Sequence, residues 1–434
     1  MTLEELVVVV AEQKEELLGE DYSAYCSRQE EAHLSMSSKM AQVVIGVRRS
    51  GKSTLCVKYL REHKANAAYV NLDDERLADI NVDDLNTLLE AMYVVYGSNV
   101  DCLFFDELQN ADSWPLFINR LLRGHKHVFL TGSNAKLLSN ELMTHMTGRH
   151  NAVSLYPFSF AEYCQIRQVE TNAITTRQKA SLIEALHNYL KEGGMPELLN
   201  ETDRRAYITS LLGTIIRVDI AKRFRIRHPD ALYKMATYLC DNYGHEFVSK
   251  TVGELFGISS KTASLYFSYL KEAFLLIGVP KFSFKAQERI RNEKAYVVDV
   301  AFAEEHDGSF SLENLGWKLE NAVCIELLRR NKRLNNEVFY YKDPGFECDF
   351  VVTHGSNVQQ LIQVSYDITS PKTRARELNG LVKAARKFNC HNLLLLTFDT
   401  KEQIVQNGEI INILPATEWL AAHVVSNHGK SAES

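Results

Sequence analysis

The sequence predicts an α/β fold built in more than one unit, and three observations carry that expectation. Between about residues 40 and 150 short apolar runs alternate with helical stretches; from 160 to 245 the spacing turns helical; after 312 a new order begins, helix, three strands, helix, strand. Strands separated by helices imply a parallel sheet with crossover helices. The 434 residues suggest about two to four domains at roughly 150 residues each.

Composition excludes several classes. Apolar residues make up 45% and charged residues 24% of the chain, an ordinary globular balance that rules out wholesale disorder. Lys plus Arg is 49 and Asp plus Glu is 55, a net charge of −6, which argues against a general nucleic-acid coat while leaving room for a local basic face. No run approaches the ~20 apolar residues of a membrane helix, and Glu4, Glu5, Glu12 and Lys14 around the first apolar stretch do not read as a secretory signal. The expectation is a cytoplasmic protein without membrane contact. Eight cysteines, none in a CxxC pair, read as buried reduced thiols rather than a zinc or redox site.

Taken in order, residues 1–38 look like a helical extension and 39–160 an α/β core with strands in AQVVIGV, AAYVNLD, DCLFFDE and HVFLTGS; 161–245 form a helical segment; 246–300 read as helix, Gly257 turn, helix and short strands, the pattern of a winged helix-turn-helix; 301–425 form a second α/β domain; and 426–434 (SNHGKSAES) a flexible tail.

The chemistry concentrates in the first α/β core. Gly46-Val47-Arg48-Arg49-Ser50-Gly51-Lys52-Ser53 matches the phosphate-loop pattern GxxxxGK[ST], directly after a strand and opening a helix at Thr54. Glycines let the backbone approach phosphates, the amides and helix N-terminus supply positive potential, Lys52 reaches the terminal phosphates and Ser53 offers a hydroxyl to Mg²⁺. A buried strand ends in Asp106-Glu107, where Asp106 is placed for the metal and Glu107 to polarise an attacking water. The next strand ends in Thr131-Gly132-Ser133-Asn134. Asn134 or Ser133 is thus a candidate to sense phosphate or orient water, and equally a cap for the helix that follows. Arg149 is a candidate arginine finger, in cis or across a subunit interface. ATP and Mg²⁺ are the expected ligands.

GVRRSGKSTL, LFFDELQNADSW, FLTGSNAKLLS, TGRHNAVSLYPFSFAEYC and GGMPELL, followed by KAYVVDVAF, WKLENAVCIELLRR and ECDFVV, closely resemble the bacterial and archaeal AAA-type ATPases that carry a C-terminal domain of unknown function. The resemblance spans about residues 40 to 400 and implies an AAA-type P-loop NTPase domain, a winged helix and a restriction-endonuclease-like domain of degenerate PD-(D/E)XK type. Active members of that nuclease fold need an acid on the first helix, an Asp on the second strand and an acid-x-Lys on the third. Glu320 and Asp349 fit, with Glu347 nearby, but the third strand reads Gln363-Val364-Ser365. The expected domain therefore keeps the fold and loses the cutting, since a bare acid pair holds Mg²⁺ weakly.

The candidate recognition helix offers Lys261 early and a face of Tyr266, Phe267, Tyr269 and Leu270, poor in donors for base edges. Two basic stretches flank it: Lys222, Arg223, Arg225, Arg227 and His228, then Lys281, Lys285, Arg289, Arg291 and Lys294. DNA and a protein both remain as expected partners, and an arginine used in trans would require a homo-oligomer. The leading expectation is a Mg²⁺-dependent ATPase acting as a nucleotide-driven switch. The alternatives are an ATP-gated nuclease using Glu320 and Asp349, and a nucleotide-bound scaffold with little turnover.

Overall fold

A computed structural model describes residues 1–22, 25–111, 114–134, 148–283, 292–304 and 314–422. The chain divides into two compact units. Unit 1 comprises 1–156, 218–224 and 269–275; unit 2 comprises 157–217, 225–268 and 276–434.

In unit 1, helix α1 (Leu3–Gly19) precedes strand β1 (Ala41–Ile45), α2 (Lys52–Glu62), β2 (Ala67–Asn71), α3 (Asp84–Tyr96), β3 (Cys102–Asp106), α4 (Trp114–Arg123), β4 (His127–Gly132) and β5 (His150–Ser154). The sheet runs β2-β3-β4-β1-β5 with every pairing parallel, so the loops after β1, β3 and β4 emerge at one edge. Strands β1 and β3 are buried at every residue, as expected for a parallel sheet covered on both faces.

The first 38 residues join this core. A capping box of Thr2 and Glu5 starts α1, Leu6, Val9 and Val10 pack into the cluster that holds Leu103, Phe105 and Ile118, and Gln13 donates to Asn71 O at 3.0 Å. Burying three such side chains stabilises by roughly 2 kcal/mol apiece. Seven of the eight cysteines are buried and none is in a disulfide.

In unit 2, α5 (Phe160–Ile166), α6 (Thr176–Glu192), α7 (Arg204–Thr214) and α8 (Pro229–Asp241) precede β6 (His245–Glu246), α9 (Ser249–Phe256), α10 (Ser260–Glu272, its residues from 269 onward counted in unit 1), β7 (Leu276–Pro280) and β8 (Glu293–Val297). Then come α11 (Leu315–Arg333), β9 (Glu337–Asp343), β10 (Phe346–His354), β11 (Asn357–Val364), α12 (Pro371–Phe388), β12 (Leu393–Thr397), β13 (Glu402–Gln406), β14 (Glu409–Pro415) and α13 (Ala416–Ala421). The six-stranded sheet runs β13-β14-β12-β11-β10-β9 and a three-stranded one β6-β8-β7. Strands β9 to β11 pair antiparallel, and β12 joins β11 in parallel.

The three segments expected after residue 160 do not have separate cores. Phe160 and Leu182 from the helical segment, Val279 and Tyr296 from β7 and β8, and Leu319, Phe350 and Leu394 from the second α/β stretch share one cluster. Gly257 takes the left-handed turn (φ 66°) between α9 and α10, and Ser259 Oγ accepts from Thr262 N at 3.0 Å to cap α10. The face judged poor in donors is core: Tyr266, Phe267 and Leu270 are buried, with Phe267 stacked on Phe247. An apolar face on an amphipathic helix packs inward. Lys285, Arg289 and Arg291, the 135–147 stretch and the 426–434 tail lie outside the described residues.

Two motifs far apart in sequence explain each other. Gly193 ends α6 at φ 75°, and Asp299, just past β8, accepts from Gly194 N at 2.7 Å and from Ala301 N at 2.9 Å. A Cβ on Gly194 would lie 2.3 Å from Phe158 O, so the second glycine is required by close backbone approach. Burial pushes the Asp299 carboxyl up to about 6. A raised folded-state value gives stability that is full below the unfolded value and is lost as pH rises through the folded one. The stability of wild type minus that of Asp299→Asn should therefore grow by about 2 kcal/mol from pH 7 to pH 4.5. Urea unfolding at the two pH values measures it, and a pH-independent difference would contradict the assignment.

Candidate active site

The loop after β1 is shaped by what its backbone must avoid. A Cβ at Gly46 would sit 2.1 Å from Leu155 O, because Leu155 N donates to Ile45 O at 2.7 Å and holds the chain after β5 against the loop. Gly51 adopts φ 90° as the N-cap of α2, and Arg49 is left-handed at φ 66°. Behind the loop, Arg28 donates to Ser50 O at 3.2 Å and Tyr156 O at 2.7 Å.

Lys52 is buried, donates to Val47 O at 3.1 Å and lies 3.5 Å from the Glu107 carboxylate. Ser53 Oγ donates to Asp106 Oδ1 at 2.9 Å. Tyr69 donates to the other Asp106 oxygen at 3.1 Å, and Thr131 Oγ1 also donates to Asp106. Glu107 is left-handed at φ 52°, the kind of backbone strain that collects at functional positions. Its amide donates to Thr131 Oγ1 at 3.0 Å, and its carboxylate accepts from Ser133 N at 3.1 Å and from Gln109 Nε2.

Electrostatics separate the two acids. Burial, with Glu107 adjoining, raises the Asp106 carboxyl. Burial acts on Glu107 in the same direction but is outweighed by Lys52, Gln109 and the Ser133 amide, so Glu107 titrates below the usual carboxylate range. The two neighbouring acids are thus pushed apart, Glu107 toward its charged form and Asp106 toward its neutral one.

Sequence reasoning placed Lys52, Ser53, Asp106 and Glu107 together, and they meet. Asn134 is fully buried just beyond Ser133. Arg149 is elsewhere: it precedes β5, is exposed, and its carbonyl accepts from Ala41 N at 2.9 Å, at the start of β1. The length of β1, roughly 16 Å at about 3.3 Å per residue, separates it from the loop. The structure therefore does not bring Arg149 to this chain's own loop. Sequence reasoning missed Tyr69, Gln109 and Asp219, the last of which binds Arg48 through both carboxylate oxygens at 3.0 and 2.9 Å.

In unit 2 a cavity of about 750 Å³ is lined by Lys294, Glu320, Glu347, Asp349, Gln363 and Glu377, among others. Asp349 Oδ2 accepts from Val364 N at 2.9 Å and Gln363 Oε1 from Asp349 N at 3.3 Å. Tyr296 donates to Glu320 at 2.6 Å. Lys294 corrects an expectation: it is not part of a basic face but is buried, 2.8 Å from Glu347 and 3.4 Å from Glu320. Burial opposes its charge, and Glu320, Asp349 and Glu347 outweigh burial, so its titration is raised. Burial and then Glu320 raise Asp349 well above its ordinary value. Among the described residues no group of three or more His, Cys, Asp or Glu is arranged to hold a metal ion by itself.

A parallel sheet with a glycine loop closing one strand and an acid pair closing another defines a P-loop NTPase-like domain. Its family model, described as an AAA domain, matches residues 38–164, and a domain of unknown function, DUF8612, matches residues 183–312. The chain belongs to the family of an uncharacterized protein from Methanocaldococcus jannaschii, 32% identical over 397 residues that cover 87% of each chain. An uncharacterized Haemophilus influenzae protein is 27% identical over 398 residues, 87% of this chain and 94% of the other. Similar solved structures include the AMPPCP-bound DnaA from Aquifex aeolicus (18% identity, 56% of this chain, 85% of that one, TM-score 0.24) and the Thermotoga maritima RuvB Holliday junction branch migration motor (18%, 56%, 82%, TM-score 0.29). No described helix is long and apolar enough to cross a membrane.

Proposed function

We propose that unit 1 binds ATP with Mg²⁺ and hydrolyses it, and that the protein works as a nucleotide-driven switch. The observation that carries this is the convergence of Lys52, Ser53, Asp106 and Glu107 at one sheet edge, with Ser53 Oγ 2.9 Å from Asp106 and Lys52 3.5 Å from Glu107. A hydroxyl and a carboxylate are hard oxygen donors suited to Mg²⁺, which takes only one or two protein ligands where phosphates and water complete its shell. Mg²⁺ bound there would neutralise charge on the transferring phosphoryl group. The chain's own groups do the rest: the amides of residues 46 to 53 cradle phosphate, Lys52 leaves Glu107 for the terminal phosphates, and Glu107, freed from that pair and still held by Ser133 and Gln109, takes a proton from water.

The α9-turn-α10 element with β6 to β8 supports a winged-helix reading. The order from α11 to β12 supports a nuclease-like reading of the following domain. Exposed Lys222, Arg223, Arg225, Arg227 and His228 favour a DNA-associated switch. Lys294 supports a second reading, an ATP-gated nuclease: it brings an ammonium from β8 to Glu320 and Glu347, in the cavity that Asp349 also lines, whereas Ser365 stands just past β11 where the motif would have its lysine. Equilibrium binding of Mg-ATP beside Lys52→Ala tests the first reading. Binding lost by at least about a hundredfold is expected for removal of a charge-assisted phosphate contact in a buried loop. Wild type that binds no nucleotide, or an indifferent Lys52→Ala, would end it. Repeating turnover with added DNA and RNA separates a nucleic-acid partner from a protein one.

A further inference from the structure

Arg48 leaves the phosphate loop sideways. Its Nε and Nη2 donate to the two oxygens of Asp219 at 3.0 and 2.9 Å, and Nη1 donates to Asp73 at 3.1 Å. The Asp219 side chain is only 8% exposed. It lies on a π-helical turn, Ile215–Lys222, a rare geometry that tends to mark functional positions. Residues 218–224 pack with unit 1, while the chain before and after them, 157–217 and 225–268, belongs to unit 2. Asp219 is thus carried to the loop on a short excursion of the chain.

The surroundings are electrostatically connected. Lys52 and Glu107 both act on Asp219, and Arg48 and Lys52 both act on Glu107. Two cations, Arg48 and Lys52, therefore face three anions, Asp73, Glu107 and Asp219, at the loop that is shaped for phosphate. A terminal phosphate brings about two more negative charges. It offers a guanidinium two acceptor oxygens, as a carboxylate does. It also repels a neighbouring carboxylate, so the competition between phosphate and Asp219 for Arg48 is built into the charge arrangement.

We propose that Asp219 is an anionic placeholder for the terminal phosphate of the nucleotide: it holds the Arg48 guanidinium until that phosphate takes it over, and residues 218–224 are then released from the loop. This rests on the ATP reading above. Arg48 then fills the part that Arg149 stands too far away to play within its own chain. ADP lacks the competing phosphate and leaves the Arg48–Asp219 pair in place, so the excursion reports which nucleotide is bound.

The test compares Mg-ADP with a non-hydrolysable Mg-ATP analogue on the full chain. In Asp219→Asn the analogue should bind about five- to tenfold more tightly and ADP should change by less than about twofold, a coupling of ordinary size for two competing contacts. Amide exchange over residues 216–224 in wild type should rise with the analogue and stay low with ADP. In Asp219→Asn it should be high in every state. A variant that weakens both nucleotides equally, or wild-type exchange that ignores the terminal phosphate, identifies the pair as a static strut and overturns the proposal. Should Asp219→Asn fail to fold, the wild-type exchange comparison decides alone. Wild type that binds neither nucleotide overturns the ATP reading and this inference with it, whereas nucleotide binding without the exchange response overturns only the placeholder.

Discussion

Replacing Glu107 by Gln is expected to leave Mg-ATP bound and to slow its hydrolysis by at least about a hundredfold, the size of contribution a positioned general base makes. Glutamine keeps the length of the side chain, and its oxygen can still accept from Ser133 N, now 3.1 Å from the carboxylate. What it loses is basicity and the charge facing Lys52 3.5 Å away. Lys52 must turn from Glu107 to the terminal phosphates, so removing its competing partner leaves binding equal or tighter. In the nucleotide-free protein Lys52, Gln109 and the Ser133 amide hold Glu107 below the usual carboxylate range against burial, so kcat/KM, which reports that state, should be flat from about pH 6 to 8 with the base already ionised. Steady-state phosphate release beside equilibrium binding measures both halves. Turnover that survives in Glu107→Gln would remove this residue from the chemistry.

What was legible in the sequence is what lies close along the chain. The phosphate loop and the acid pair each occupy a few consecutive residues at a strand end, and a parallel sheet places all such ends at one edge. The pairing of Ser53 with Asp106 follows from that rule without knowledge of the rest. Asp219 does not: it stands 171 residues from Arg48, inside an apolar helical run where an isolated acid reads as a solvated residue. Arg149 shows what a local pattern leaves open. It reads as an arginine finger in cis or in trans with nothing local to choose between them, and β5 starts beside Ala41 and lays it at the other end of β1 from the loop.

Unit 2 shows the same limit. The aromatics of α10 read as poor in donors for base edges, and the burial of Tyr266 and Phe267 agrees with that, but a helical stripe does not say in advance which side meets the core. Lys294 was grouped with basic neighbours in sequence, although it alternates with buried Tyr296 on β8 and so shares that residue's face. Period-two spacing with a buried aromatic was the available signal. The missing lysine of β11 then proved to be a question about three dimensions, since β8 delivers an ammonium to Glu320 and Glu347 from outside the motif.

Lys294→Met is accordingly expected to destabilise the protein by about 3 kcal/mol near neutral pH, because it strips the cation from buried acids and leaves them uncompensated. The figure stays at the low end of that range because Glu347 is 36% exposed and partly screened by water. The pH dependence follows from the carboxylates. Burial opposes ionisation of Glu347, but Lys294 outweighs it and lowers the acid's titration, so this stabilisation is present above the unfolded carboxylate value and is lost as pH falls through the folded one. The difference between wild type and Lys294→Met in denaturant unfolding should therefore shrink on acidification, and adding Glu320→Gln to the variant should recover part of the loss. The same variant separates the two readings of the cavity. If Lys294 only balances charge, wild type cuts no DNA or RNA with Mg²⁺ and the variant differs in stability alone. If it serves chemistry, wild type cuts, and both Lys294→Met and Asp349→Asn abolish cleavage under conditions where each remains folded.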